Sequence, residues 1–170
     1  MKKLFLVLVF AFVGIFTANA QVWLGGGLGA QFGKEVSKIS VAPEVGYAFN
    51  NHWQVALGAN YTFSKTDLIP DSDPITQTYL DLEPYVRYVA TTIGDKFSLF
   101  FDLTGDFGLV DHSGWAVTLR PGIAWNATDH WTAAFRFGFL GYDHSFFGAD
   151  NGFFLNCELV APQIRLYYNF

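Results

Sequence analysis

Apolar and polar residues alternate along most of this chain. Ile39, Val41, Val45, Tyr47 and Phe49 share one parity; Ser40, Ala42, Glu44 and Gly46 take the other. Side chains at i, i+2 and i+4 line one face of a strand, so period-two alternation predicts β-structure. Eight segments have this character: 22–32, 39–49, 53–63, 78–89, 97–109, 115–125, 131–140 and 153–170. Most are close to the ~9–11 residues that a tilted membrane strand needs. No helical periodicity follows residue 20. The pattern predicts an all-β fold, an antiparallel eight-stranded transmembrane β-barrel with up-and-down meander connectivity.

The connections alternate in kind. Segments 50–52, 90–96 and 126–130 are expected as periplasmic turns, and 33–38, 64–77, 110–114 and 141–152 as outer loops. An even number of strands returns both chain ends to the periplasmic side.

Alternation alone leaves open which face meets lipid. An exported lipocalin is also an eight-stranded barrel, with an apolar inside and a wet outside. Composition decides between them. Leu57, Val86, Phe101, Leu119 and Phe135 share a face with Trp53, Tyr88, Trp115, Trp125, Trp131 and Phe139, and that face is almost free of charge. The other face carries Glu44, Asp81, Glu83, Asp102 and Asp106 with Arg87, Arg120, Arg136 and Arg165, among glycines and threonines. Carboxylates and arginines, whose guanidinium fork binds a carboxylate bidentately, suit a crowded interior. An eight-stranded barrel is just wide enough to be filled by side chains. The polar face is therefore expected in the lumen, with its five acids and four arginines forming a plug of salt bridges. A narrow ion path is the alternative. Placing Arg165 inside requires a parity change near Val160-Ala161, as a β-bulge would give.

The ends of the chain fit an exported barrel. Lys2 and Lys3 precede an apolar run, Leu4 to Phe16, and a small-residue site, Ala18-Asn19-Ala20. This reads as a secretory signal peptide over residues 1–20, removed before Gln21, with the barrel domain over 21–170. At the other end Ile164, Leu166, Tyr168 and Phe170 fall on one strand face, and the chain stops on an aromatic residue suited to an interfacial girdle. Aromatic residues make up 19% of the chain and charged residues 15%, against about 25% charged in soluble domains. The net charge of −5 becomes −7 without the two leader lysines, which argues against nucleic-acid partners. Cys157 is the one cysteine, so an intrachain disulfide is excluded, and it reads as a small apolar filler.

In this pattern the chain resembles the small OmpA/OmpX-type outer-membrane barrels of Gram-negative bacteria. The resemblance spans the mature chain and rests on the signal peptide and on Ile164-x-Leu166-x-Tyr168-x-Phe170. It implies a monomer in the outer membrane, among lipid and lipopolysaccharide. It also implies that the barrel assembly machinery reads the terminal strand as its signal. The implied role is structural or surface-interacting. The outer connections are shorter than those of the family's adhesive members.

Two further motifs bear on chemistry. Asp111-His112-Ser113 and Asp143-His144-Ser145 repeat one tripeptide in two expected outer connections. A serine nucleophile needs an imidazole in reach and a carboxylate to orient it, so His144 could serve Ser113, or the reverse. That would make a lipid A deacylase or acyltransferase at the rim. The favoured reading is two loops built from turn-forming residues, a protein without catalytic activity or cofactor. The same Asp and His residues match no metal-site spacing. Asp67, Asp71 and Asp73 lack the glycine and terminal glutamate of a calcium loop, and Asn126-Ala127-Thr128 is a chance glycosylation match. Finally, Gly46–Trp53 and Gly122–Trp131 echo each other as aromatic, polar turn, His-Trp. This is expected where two periplasmic turns meet the same interface.

Overall fold

The computed structural model describes residues 21–32, 36–66, 74–110, 114–146, 151–156 and 163–170. The expected signal peptide, Asp111-His112-Ser113, Cys157 and the Val160-Ala161 parity change lie outside them. The described residues form ten strands: β1 (Gln21–Phe32), β2 (Val36–Ala48), β3 (Trp53–Thr66), β4 (Ile75–Ile93), β5 (Phe97–Val110), β6 (Trp115–Asn126), β7 (Trp131–Arg136), β8 (Phe139–His144), β9 (Gly152–Asn156) and β10 (Gln163–Asn169). Successive strands pair antiparallel, and β10 returns to β1 through Trp23↔Asn169 to Gly27↔Arg165. The result is a closed antiparallel eight-strand barrel, in which β7 with β8 and β9 with β10 are the two pieces of the seventh and eighth staves. Closure matters because an unpaired backbone group in lipid costs several kcal/mol.

The seventh and eighth segments differ from expectation, each being split where one strand was expected. In the seventh, Phe137 and Gly138 interrupt the ladder, and Gly138 has φ +60°. Such a backbone is readily adopted by glycine, and the extra residue reverses the side-chain parity. Phe139, expected on the outer wall, instead turns toward Arg120, whose guanidinium carbon lies 5.6 Å from its ring centroid. In the eighth stave, Phe153 and Leu155 are exposed while Arg165 and Tyr167 are buried, so odd residues point out before the break and in after it.

Most connections are shorter than expected, among them three flanked by strand extensions. Strand β2 begins at Val36, β4 extends to Ile93 and β8 extends to His144. The wall carries Leu57, Phe101, Leu119 and Leu166 exposed on its outside. At one end of the barrel the two turns that echo in sequence are built alike. Asn50 Oδ1 accepts from the backbone N–H groups of His52 and Trp53, and Thr128 Oγ1 from those of His130 and Trp131. His52 Nδ1 lies 2.9 Å from Val89 O and its ring stacks on Tyr88; His130 Nδ1 lies 3.1 Å from Asn169 O and its ring stacks on Tyr168.

Candidate functional site

The inner face holds the charged residues. Strands β2, β4, β5, β6, β7 and β10 each aim at least one of them inward, because each is in phase with the buried parity of its stave. Glu83 on β4 is the hub. Arg136 Nη1 donates to its Oε1 at 2.6 Å, Arg165 Nη2 reaches both its oxygens at 2.9 and 3.0 Å, and Arg120 Nη1 is 3.8 Å from Oε2. Arg165 Nη1 continues to Glu44 Oε2, which also accepts from the Tyr85 hydroxyl at 3.2 Å.

Two branches leave this hub. Toward the end opposite the His52 and His130 turns, Arg120 Nη2 grips both Asp106 oxygens at 2.8 and 2.7 Å, while its Nε donates to Thr118 Oγ1. Toward the end with the His52 and His130 turns, Asp102 accepts from Arg136 Nε at 2.7 Å and from Arg87 Nε and Nη2 at 2.7 and 2.9 Å. Arg136 Nη2 is also 2.6 Å from Asp102 Oδ2, as an ion pair rather than an aligned hydrogen bond. The eight groups Glu44, Glu83, Asp102, Asp106, Arg87, Arg120, Arg136 and Arg165 thus form one linked set with four charges of each sign. All eight are buried. Asp81, the fifth expected acid, is buried on the same face toward the same end as Asp106. Among the described residues, Glu44 Oε1 and Thr104 Oγ1 have no hydrogen-bond partner.

Below the charges lies an aromatic plug that the sequence patterning did not single out. Arg87 sits over the Phe100 ring, its guanidinium carbon 3.9 Å from the centroid, with Tyr85 and Tyr167 at 5.4 and 5.5 Å. Trp23 packs on Tyr167 at 4.4 Å between ring centroids. Glycines make the room. A Cβ on Gly46 would lie 2.0 Å from Trp23 Cζ2, and one on Gly122 would lie 2.3 Å from Phe100 Cζ. The available signal was the pairing of these glycines with aromatic residues of lumen parity.

Of the two Asp-His-Ser candidates the described residues hold Asp143, His144 and Ser145; Asp111-His112-Ser113 lies outside them. Asp143 and His144 are consecutive strand residues of β8, not a loop as expected, so they point to opposite faces. Asp143 is buried, and its Oδ1 accepts from the Phe146 backbone N–H at 2.9 Å. His144 is exposed and stacks on Trp115 at 5.5 Å. Ser145, at φ 59°, donates to Asn151 Oδ1. No cluster of three potential metal ligands exists among the described residues.

A closed barrel with an apolar wall and an ionic interior is the architecture of small transmembrane β-barrels. The solved structure of the Yersinia pestis outer membrane protein Ail, determined in a phospholipid bilayer nanodisc, matches this fold. The match has a TM-score of 0.50 and 12% sequence identity over 89% of this chain and 98% of Ail. A de novo designed transmembrane β-barrel matches at a TM-score of 0.43 and 11% identity, over 89% of this chain and 94% of the design. No family model and no curated protein sequence matches the chain.

Proposed function

We propose that this chain is an integral outer-membrane protein of a Gram-negative envelope, of the small OmpA/OmpX type. Its role is structural or surface-interacting; it is neither an enzyme nor a pore. The observation that carries this is the contrast between the two faces. Leucine, valine and aromatic side chains cover the outside, while a charge-balanced network and an aromatic plug fill the inside. An apolar outside needs lipid around it. Paired buried charges across the lumen favour a plug over an ion path.

The same proposal has residues 1–20 acting as a leader removed after Ala20. Ile164, Leu166, Tyr168 and Phe170 present the last stave to the barrel assembly machinery, and the mature protein is a monomer among lipid and lipopolysaccharide. In support of a non-enzymatic role, Asp143 and His144 diverge to opposite sides of the wall. The test is planar-bilayer recording of the refolded protein. Absence of discrete conductance steps is expected; steady unit currents would favour a small pore instead.

A further inference from the structure

Three prolines stand at mid-height on alternate staves, Pro43 on β2, Pro84 on β4 and Pro121 on β6. Each is the centre of the same pattern: Ile39-x-Val41-x-Pro43-x-Val45-x-Tyr47, Leu80-x-Leu82-x-Pro84-x-Val86-x-Tyr88 and Val117-x-Leu119-x-Pro121-x-Ile123-x-Trp125. The sequence Val160-x-Pro162-x-Ile164-x-Leu166 repeats its core on the eighth segment. So the motif recurs on β2, β4 and β6 in the structure and once more in the sequence of the eighth segment.

Proline has no N–H, so it costs one ladder bond on one side only. Neighbouring hydrogen bonds fix the side. Phe49 N–H donates to Trp53 O across β2–β3, and Val89 N–H donates to His52 O across β3–β4. Bonded and non-bonded pairs alternate along an antiparallel ladder. Counting from these two bonds, the missing donor of Pro43 faces β3 and that of Pro84 faces β5. For Pro121 the bond from Phe137 N–H to its carbonyl identifies the β7 side directly.

The ladders break on those same sides. β2–β3 pairing stops after Val41↔Tyr61 and resumes at Glu44↔Gly58. β4–β5 pairing stops after Leu82↔Phe107 and resumes at Tyr85↔Thr104. β6 passes from Leu119↔Leu140 on β8 to Gly122↔Arg136 on β7. On the other side of each proline the ladder is continuous. β1–β2 runs from Gln21↔Ala48 to Phe32↔Ser37, β3–β4 from Trp53↔Tyr88 to Thr66↔Ile75, and β5–β6 from Phe97↔Trp125 to Phe107↔Trp115.

We propose that the hairpins β1–β2, β3–β4 and β5–β6 are each joined to the next stave at a weak proline seam, and that these seams open before the hairpins do. Each of these three hairpins is a continuous ladder. At each seam a carbonyl of the facing strand lacks its donor at a depth where lipid offers none. Local opening therefore follows the seams, and the hairpin is the cooperative unit.

Residue-resolved amide exchange on the full barrel in a phospholipid bilayer tests this, because alternate amides of one strand report the two ladders. Leu57 and Tyr61 bond across the β2–β3 seam, while Gly58 and Asn60 bond within β3–β4. Leu103 and Phe107 bond across the β4–β5 seam, while Asp102 and Thr104 bond within β5–β6. Seam amides are expected to exchange at least about tenfold faster than their hairpin neighbours. Pro43→Val, which restores the donor, is expected to slow Leu57 and Tyr61 to the rates of Gly58 and Asn60. Equal rates for the two sets in the unmodified protein would overturn the proposal, whatever the variant does. So would Leu57 and Tyr61 rates unchanged in a folded Pro43→Val barrel.

Discussion

Arg136 reaches across the lumen from β7 to Glu83 on β4, its Nη1 2.6 Å from the carboxylate Oε1. The two residues stand on opposite sides of the barrel and are both buried. A buried ion pair recovers its desolvation cost only when geometry and further hydrogen bonds are good. Here Arg136 is also held by Asp102, and Glu83 by Arg165, so every arginine of the set has at least one carboxylate against it. Cross-lumen pairs tie staves that share no backbone ladder.

Removing the hub is expected to be severe. Glu83→Ala leaves Arg120, Arg136 and Arg165 short of a carboxylate and should destabilise the barrel by about 3–5 kcal/mol. Urea titration of the protein in lipid vesicles measures this. A loss below about 1 kcal/mol would show that water hydrates the pair.

Charge balance, rather than any one pair, is expected to govern stability. Asp106→Leu alone leaves Arg120 with Glu83, 3.8 Å away, as its carboxylate, and Arg120→Leu alone leaves Asp106 without an arginine. The double variant keeps three acids against three arginines in the rest of the set, and should be less destabilised than either single variant. The same titration checks it, and strict additivity of the two single losses would contradict it.

Phe100→Ala empties a fully buried site beside Arg87 and should cost about 3–5 kcal/mol. Gly46→Val should prevent closure, since its Cβ collides with Trp23. Pairing it with Trp23→Ala should restore the folded, heat-modifiable band on an unheated detergent gel. Failure of the pair to recover would mean that Gly46 is required for its backbone and not for space.

Much of this was legible in the sequence. Parity set Glu83, Arg87, Arg120 and Arg136 on one face because a strand has period two. Three things were not legible. The seventh stave keeps an apolar-rich run through Phe137-Gly138-Phe139, so alternation gives no warning that Gly138 flips the phase and draws Phe139 inward. Asp143-His144-Ser145 looks like a loop tripeptide by composition, but pairing of Asp143 with Ala116 and with Gly152 holds it in the wall. The aromatic plug escaped notice because Phe100 and Trp23 are apolar residues at lumen positions, against the expectation that lumen positions are polar.

Ser113→Ala and His144→Ala are expected to leave the acyl-chain number of lipid A unchanged in cells carrying the protein. Mass spectrometry of lipid A reads this directly. A change that requires both residues would establish a rim enzyme instead.

Phe170→Ser should reduce the inserted, heat-modifiable fraction far more than Cys157→Ala. Phe170 donates its backbone N–H to Val22 O, its ring is exposed, and it meets Tyr168 edge-on at 5.1 Å. It therefore contributes both to the closing seam and to the interfacial belt. Equal inserted fractions would make the terminal aromatic dispensable.

The most direct measurement is the environment of the outer wall. Single nitroxide labels at Leu57, Phe101, Leu119 and Leu166, on the protein reconstituted in phospholipid vesicles, can be relaxed by oxygen, which dissolves in lipid, or by a water-soluble nickel chelate. All four labels should be relaxed by oxygen and protected from the chelate. Chelate access at these positions would mean that the apolar wall faces water, and the membrane-spanning barrel would be contradicted.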